Sequence, residues 1–411
     1  MEKESSLGKI GIASVVFGIM ASSLTQNNTW HGITILGSAV IVSTVSKWLK
    51  TKDVFYDVFR ELKLFTEKER AHVISKWDYP WGKKYLLNLP MGMSVKDFEK
   101  KKDEISQHFG NHVTFSYVDA GKMTVELIET KLKTLYPFAL QSFNNAMEIP
   151  IGYGRKEFIS CSFTEKNPNL VVVGMTGSGK SVFFRQLIVT IILTRLVTEI
   201  LLDLIDLKTG ITFKLFKNCV HVDGYADDLP GAIAITNKLE RVMKKREEKM
   251  AEYNIDNITD YNKRFPEKRM PYRLVVVDEF ITLLDERSPI SSSFARIVRQ
   301  GRSSGIFFIF GTQKATSESF PRSIRSNLGN KLCFRVHDEY DSRSALGQSF
   351  GELASKIEVK GRAIYQDVEN HEVQVMFLSP ETAKQLISPF VSPEKQVDSS
   401  MLLGVRKVDN C

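Results

Sequence analysis

The sequence predicts an α/β fold with a mainly parallel sheet, preceded by a small α/β subdomain and an N-terminal two-helix membrane hairpin. Three observations predict it. From Ile149 to about Leu378, apolar strands alternate with helical segments, the pattern of a parallel sheet covered by helices. Between Lys84 and Ile128, shorter alternating runs surround one helical stretch. From Ile10 to Ser46 there is no Asp, Glu, Lys or Arg.

Composition excludes several other classes. The 411 residues are 43% hydrophobic and 25% charged, ordinary globular values that exclude a disordered, collagen-like or coiled-coil chain. Mean hydropathy is −0.15, which excludes a polytopic membrane protein. The four cysteines, Cys161, Cys219, Cys333 and Cys411, form no C-x-x-C pair, so neither a disulfide scaffold nor a zinc ribbon is expected. A net charge of +8 is compatible with nucleic acid or an anionic membrane surface.

Residues 1–52 read as a membrane anchor. Two apolar helices, near Ile10–Leu24 and Gly32–Ser46, are joined by the polar turn Thr25–Thr29. Each is shorter than the ~20 residues of an ordinary spanning helix, but Trp30 and Trp48 extend them toward the interface. Lysines at 3, 9, 47, 50 and 52 flank the pair and none lies in the turn, which places both termini and the large α/β domain in the cytoplasm of a cell-membrane protein. The alternatives are a cleaved signal peptide and a helical hairpin buried in a soluble core.

Residues 53–148 read as a linker helix over Asp53–Trp77 followed by the small subdomain. In the latter, Tyr85–Leu89 is strand-like and Ser94 is placed to cap a helix toward His108. Val113–Tyr117 and Met123–Ile128 alternate as strands. It carries no catalytic constellation and reads as a packing or docking module. Residues 149–380 form the large α/β domain, and 381–411, with Ser and Pro punctuation and little periodicity, read as a mobile tail.

The chemistry lies in the large α/β domain. Gly174, Met175, Thr176, Gly177, Ser178, Gly179, Lys180 and Ser181 satisfy G-x-x-x-x-G-K-[ST] between an apolar strand, Asn169–Val173, and a helical run from Val182. The glycines let backbone N–H groups turn toward phosphate oxygens, and the helix N-terminus adds its positive end. Lys180 is expected to reach the β- and γ-phosphates of ATP and the Ser181 hydroxyl to ligate Mg²⁺. The buried run Leu274–Val277 ends in Asp278, suited to hold the Mg²⁺ hydration shell, and Glu279, suited to orient or deprotonate the attacking water. The strand Gly305–Phe310 ends in Gly311-Thr312-Gln313, where Gln313 is either a γ-phosphate sensor or an ordinary strand-end residue. Between Arg296 and Arg343, nine Lys/Arg face four Asp/Glu, a surplus that fits phosphates or a solvated face.

Taken together, these residues resemble the FtsK/SpoIIIE family of DNA-pumping ATPases over roughly Ile149–Gln366. The collinear elements are GMTGSGKS, Ile205-Asp206-Leu207-Lys208, Ile258–Asn262, VVVDEF, Arg302–Ile306, GTQ and Phe334-Arg335-Val336 followed by Asp341-Ser342-Arg343. The resemblance implies a RecA-like P-loop NTPase motor, assembled as a homo-hexamer with ATP between subunits. Arg302 matches the arginine offered to a neighbour's ATP; on chemistry alone it could instead cap or salt-bridge its own helix. Lys314 and Arg343 match basic positions facing a DNA channel. The sequence departs from the family at Lys314-Ala315, where R-P is usual, at Glu339 in place of a common lysine, and in lacking a proline after Asp206.

The reduced layout resembles coupling proteins of Gram-positive conjugative elements. The expected function is therefore a membrane-anchored, ATP-driven DNA translocase that delivers DNA with its relaxase to secretion-channel proteins, in contact with membrane lipid. The alternatives are a chromosome or plasmid segregation motor and a type VII-like protein-secretion ATPase, the latter usually built from tandem motors.

Overall fold

A computed structural model describes residues 54–392, apart from 68, 120, 144, 209, 285–289 and 314–328. The membrane hairpin expected at 1–52, Lys314 and residues 393–411 lie outside the described residues. Among the described residues no helix is long and apolar enough to cross a membrane. The chain divides into two compact units between Lys131 and Leu132.

The first unit begins with α1 (Tyr56–Glu61), then β1 (His72–Tyr79) and β2 (Gly82–Asn88). Next come α2 (Val95–Glu99), α3 (Lys102–Phe109), β3 (His112–Asp119) and β4 (Lys122–Ile128). The strands form an antiparallel sheet in the order β1-β2-β4-β3. The linker helix expected over Asp53–Trp77 is therefore corrected to six residues and a strand. Lys63 adopts φ 57° and Leu64 N–H donates to the Phe59 carbonyl at 2.8 Å, which reverses the chain after α1. Beyond it, pairing of His72 with Asn88 through Tyr79 with Gly82 fixes β1 as one arm of a hairpin, a choice that local helical periodicity does not display. Ser94 caps α2 in a reciprocal capping box with Asp97. The hydrogen bonds from Ser94 and Lys100 pull the Asp97 carboxyl down to about 2. Phe55, Phe59, Phe98, Val125 and Leu127 close the core on one sheet face.

The second unit contains β5 (Glu148–Tyr153), β6 (Phe158–Ser162), β7 (Asn169–Val173), α4 (Lys180–Thr194), β8 (Ile200–Asp206) and β9 (Val222–Ala226). These are followed by α5 (Leu229–Ala251), α6 (Ile258–Arg264), β10 (Tyr272–Asp278), α7 (Ser291–Gln300), β11 (Ile306–Thr312) and β12 (Asn330–Phe334). Last come α8 (Glu339–Leu346), β13 (Arg362–Gln366), β14 (Asn370–Gln374), α9 (Pro380–Ile387) and a 3₁₀ turn, Ser388–Phe390. The sheet order is β6-β5-β14-β13-β12-β7-β11-β10-β8-β9. From β12 to β9 all neighbours are parallel, and from β12 to β6 all are antiparallel, so the parallel sheet carries a meander on one flank.

Helices cover both faces, which is why the central strands are apolar throughout. Leu170 and Val172 of β7 face α4, while Val171 and Val173 face the layer of α5 and α7. Since α4 is buried nearly all round, it lacks an amphipathic stripe. In α5, Asp228 accepts from Gly231 N–H at 2.8 Å and Pro230 occupies the first turn, so the start of this long helix is fixed by its own sequence. Between β8 and β10, Arg273 forks onto Asp203 at 2.9 Å through each of two nitrogens, and also pairs with Asp223. Breaking one partner of such a buried pair is costlier than the pair is stabilising, so it fixes which strands are neighbours.

Two boundaries are corrected. Leu132–Phe138 belongs with the second unit: Phe377 N–H donates to the Tyr136 carbonyl at 2.7 Å and Phe138 N–H to the Phe377 carbonyl at 3.0 Å. The tail expected from 381 begins as ordered structure, because α9 places Ala383 and Ile387 in the core. Burying the Ile387 side chain contributes about 2 kcal/mol, enough to hold a short helix that periodicity alone does not reveal.

Candidate nucleotide-binding site

The site is built where β7, β10 and β11 end side by side. After β7 the chain turns sharply at Gly174, where a Cβ would meet Ser178 Oγ at 2.6 Å and Phe334 Cβ at 2.8 Å. Gly177 (φ 81°) and Gly179 (φ 126°) occupy backbone conformations that side chains rarely adopt. The loop is suspended at three points. Gly174 N–H donates to the Thr312 carbonyl at 3.1 Å, Met175 N–H to the Arg335 carbonyl at 3.0 Å, and Gly361 N–H to the Ser178 carbonyl at 2.8 Å. It then enters α4 at Lys180, with Ser181 exposed in the first turn.

Parallel pairing puts Asp278 opposite Gly311 on one side and Asp206 on the other. Gly311 carries no Cβ because one would meet Asp278 Oδ1 and the Phe184 ring, each at 2.8 Å. Lys180 Nζ lies 2.5 Å from Asp278 Oδ1 and 3.7 Å from Glu279 Oε2. Glu279 holds φ 62°, pinned by its own N–H and that of Phe280, which both donate to the Gly311 carbonyl at 2.9 and 3.2 Å. Gln313 sits at the end of β11. Its N–H approaches Glu279 Oε1 at 3.5 Å, and its Oε1 accepts from the Thr176 hydroxyl at 3.3 Å. Lys180, Asp278, Glu279, Gln313 and the loop 174–181 therefore form one constellation. Gln313 thus touches both the phosphate loop and the acid.

Sequence reasoning missed Thr212. Its hydroxyl donates to Asp278 Oδ2 at 3.1 Å and its N–H to Asp206 Oδ2 at 2.9 Å. Lys208 N–H binds the other Asp206 oxygen at 3.2 Å. The loop after β8 is held further by the Tyr225 hydroxyl, which donates to the Gly210 carbonyl at 3.1 Å. Burial pushes the Tyr225 phenol up, and Asp227 and Asp206 add to the shift, so it remains a neutral donor. The available signal was Asp206, an acid closing a strand as Asp278 does; only the sheet register shows that the two are neighbours.

The remaining predicted residues lie elsewhere. Arg302 sits in the turn before β11, at the opposite end of that strand, where its guanidinium donates to the Glu165 carbonyl at 3.1 Å. Seven strand residues, about 20 Å, separate it from Gln313. Arg343 lies on α8 and pairs with Glu339 of the same helix at 2.8 Å.

The residues fit a triphosphate with Mg²⁺. Glu279 Oε2 and Ser178 Oγ are buried and accept no hydrogen bond from the described residues, and the space around Gly177 is open. Ser181 and Asp278 are the side chains placed to hold the metal, which when bound would neutralise phosphate charge. Lys180 would hold phosphate oxygens directly, and Glu279 is the carboxylate free to accept from water.

Comparison with known proteins identifies the family and the fold. The FtsK/SpoIIIE family model matches residues 141–366. The type VII secretion system protein EssC of Staphylococcus aureus is 33% identical over 242 residues, 57% of this chain and 16% of EssC. The ESX secretion system protein YukB of Bacillus subtilis is 30% identical over 247 residues, again 57% and 16%. The chain thus spans about a sixth of the length of these curated relatives. Among solved structures, the pCW3 conjugation coupling protein TcpA, with ATPγS, aligns at a TM-score of 0.56 and 16% identity, over 84% of this chain and 99% of that one. The cytoplasmic domain of the Thermomonospora curvata type VII secretion ATPase EccC gives 0.54 and 21%, over 64% and 33%. At these identities the two structures show a shared α/β ATPase fold.

Proposed function

This chain belongs to the FtsK/SpoIIIE family and is an ATPase, and on that premise we propose that it is a membrane-anchored DNA translocase acting as a conjugative coupling protein. The observation that carries its ATP-hydrolysing part is the single constellation of Lys180, Asp278, Glu279 and Gln313 beneath one phosphate loop. In it Lys180 and the loop N–H groups hold the triphosphate, and Glu279 accepts a proton from water as its oxygen approaches the γ-phosphorus. Gln313 reports the γ-phosphate to both Thr176 and Glu279. Residues 1–52 anchor the chain, with both termini in the cytoplasm. The motor forms a homo-hexamer, Lys314 and Arg343 face DNA, and relaxase and channel proteins are the partners.

The coupling role is supported by the likeness to TcpA, which spans nearly the whole of that solved chain. A second reading, a type VII-like secretion ATPase, is favoured by the 33% identity with EssC. Measuring ATP hydrolysis with and without DNA separates them. A translocase accelerates severalfold on DNA and is unaffected by secretion-substrate peptide. Turnover that ignores DNA but responds to such a peptide would reverse the assignment.

A further inference from the structure

A phosphate loop holds its ligand through backbone N–H groups, so its action depends on which way its peptide planes face. In a trans peptide the carbonyl and the N–H that follows it point in opposite directions. The Ser178 carbonyl is taken by Gly361 N–H at 2.8 Å, from the start of β13. That bond turns the Ser178–Gly179 peptide so that the Gly179 N–H points away from β13. No backbone carbonyl of the described residues accepts from Gly179 N–H, and Gly179 stands at the N-terminus of α4, directly before Lys180. The donor is left for a phosphate oxygen.

The close approach behind this bond calls for glycine on both sides. A Cβ on Gly179 would lie 2.8 Å from Gly361 Cα, and one on Gly361 would lie 2.8 Å from Gln374 Nε2. Gly361 also holds φ 79°. The backbone behind it is fixed. Val375 N–H donates to the Gly361 carbonyl at 3.0 Å, and Gln374 Nε2 to the Lys360 carbonyl at 2.9 Å. Arg362 is buried, with Nε donating to Gln374 Oε1 at 2.8 Å, Nη1 to Glu372 Oε1 at 2.7 Å and Nη2 to the Lys133 carbonyl at 3.0 Å. These partners lie on the flanking meander or on the segment before β5, so the direction of one phosphate donor is set from outside the loop.

We infer that Gly361 is a positioning residue for ATP binding: its N–H, held in place by Arg362 and Gln374, aims the Gly179 N–H at a phosphate oxygen. The inference rests on a nucleotide occupying the loop 174–181 but not on DNA translocation. It is tested on the full chain by ATPase kinetics and by equilibrium competition of ATP and inorganic triphosphate against a fluorescent ADP. Gly361→Ala puts a Cβ on a left-handed backbone and should displace the N–H. It should weaken ATP and inorganic triphosphate by the same factor, about tenfold, the scale of one lost hydrogen bond to a charged group. KM for ATP should rise by a similar factor while kcat stays within about threefold, because Lys180, Asp278 and Glu279 are untouched. Gly361→Asn should lose less, since asparagine tolerates a left-handed backbone. Arg362→Lys keeps the charge opposite Glu372 but loses the fork; it should give the same pattern more weakly, and it carries the test if Gly361→Ala does not fold. A folded variant with unchanged triphosphate affinity would overturn the inference. So would a fall in kcat at unchanged KM, which would place Gly361 in the chemical step, or weakening of ATP alone, which would place it against the nucleoside. Failure of the unmodified chain to bind triphosphate would instead refute the phosphate-loop reading beneath it.

Discussion

Glu279 adopts a left-handed backbone, φ 62°, which costs a residue with a side chain on the order of 1–2 kcal/mol. The two hydrogen bonds onto the Gly311 carbonyl hold it there, and the effect is to turn the carboxylate back toward Lys180 and the loop. A glycine would adopt this conformation at no cost but would lack the proton acceptor. We expect Glu279→Gln to keep ATP binding and to lose turnover by about 10²–10⁴-fold, the usual contribution of a positioned base. Single-turnover hydrolysis near the unmodified rate would remove Glu279 from the chemistry. Thr212 acts one step further away, as a positioning residue for Asp278. Thr212→Val should lower kcat about tenfold and raise the Mg²⁺ concentration needed for half-maximal rate, with Thr212→Ser recovering most of both. An unchanged Mg²⁺ titration would count against it. The phosphate loop and Asp278-Glu279 were legible because each is a contiguous string. Thr212 was not, because its partner is brought to it by the pairing of β8 with β10.

At the scale of elements, the strands and helices of the motor were read correctly where a buried apolar run or a cap marked them. The segment before β2 and the one after β14 were misread, because the first is ordered by hairpin pairing with β2 and the second by packing of α9 into the core, neither of which its own periodicity displays. His221 illustrates how the C-terminal segment is held. It is buried beside the Phe390 ring, with Nε2 donating to the Arg195 carbonyl at 2.8 Å and Nδ1 without a hydrogen-bond partner among the described residues. Burial lowers its pKa from the ordinary 6.5, partly opposed by the Arg195 carbonyl. A second proton would have no acceptor among the described residues. Since the unfolded chain takes up that proton first, this contribution to stability is complete above pH 6.5 and is lost as pH falls through the depressed value. The melting temperature should therefore fall between pH 8 and 5.5, and His221→Asn should flatten that dependence even if it lowers stability throughout. Parallel curves for the two proteins would show that His221 does not carry it. In α5, Lys244 and Glu248 pair on the surface as charge patterning implies, whereas Arg246 is buried, donating to the Ser304 and Pro271 carbonyls at 2.6 Å. Burial brings the Arg246 pKa down to about 10. Periodicity does not distinguish an arginine that satisfies carbonyls from one that faces water.

For the whole molecule, the position of Arg302 has a quaternary implication. About 20 Å of strand separates it from the acids of its own site, so a finger role requires a second copy. Arg302→Ala should then bind ATP normally yet lose hydrolysis by about 10³-fold or more. Mixing it with Lys180→Ala subunits should restore part of the activity, because one interface combines an intact loop with an intact arginine. A co-assembled mixture as inactive as either parent, across a dose series of unmodified subunits, would count against action in trans.

The contact between Lys180 and Asp278 carries a consequence for binding strength. The ammonium group meets an anion belonging to its own chain, and an incoming phosphate must share or displace that anion. Nucleotide affinity is then a difference between two pairings, and Asp278 is an internal antagonist of the ligand. Asp278→Asn should therefore bind ATP more tightly than the unmodified chain when Mg²⁺ is chelated, although it cannot turn ATP over; equal or weaker binding would contradict this. Such an antagonist favours departure as well as restraint. Once the γ-phosphate has gone, the lysine recovers its original partner, and the recovered pair eases the release of ADP. The side chain placed to hold a metal would thereby also favour release of the product.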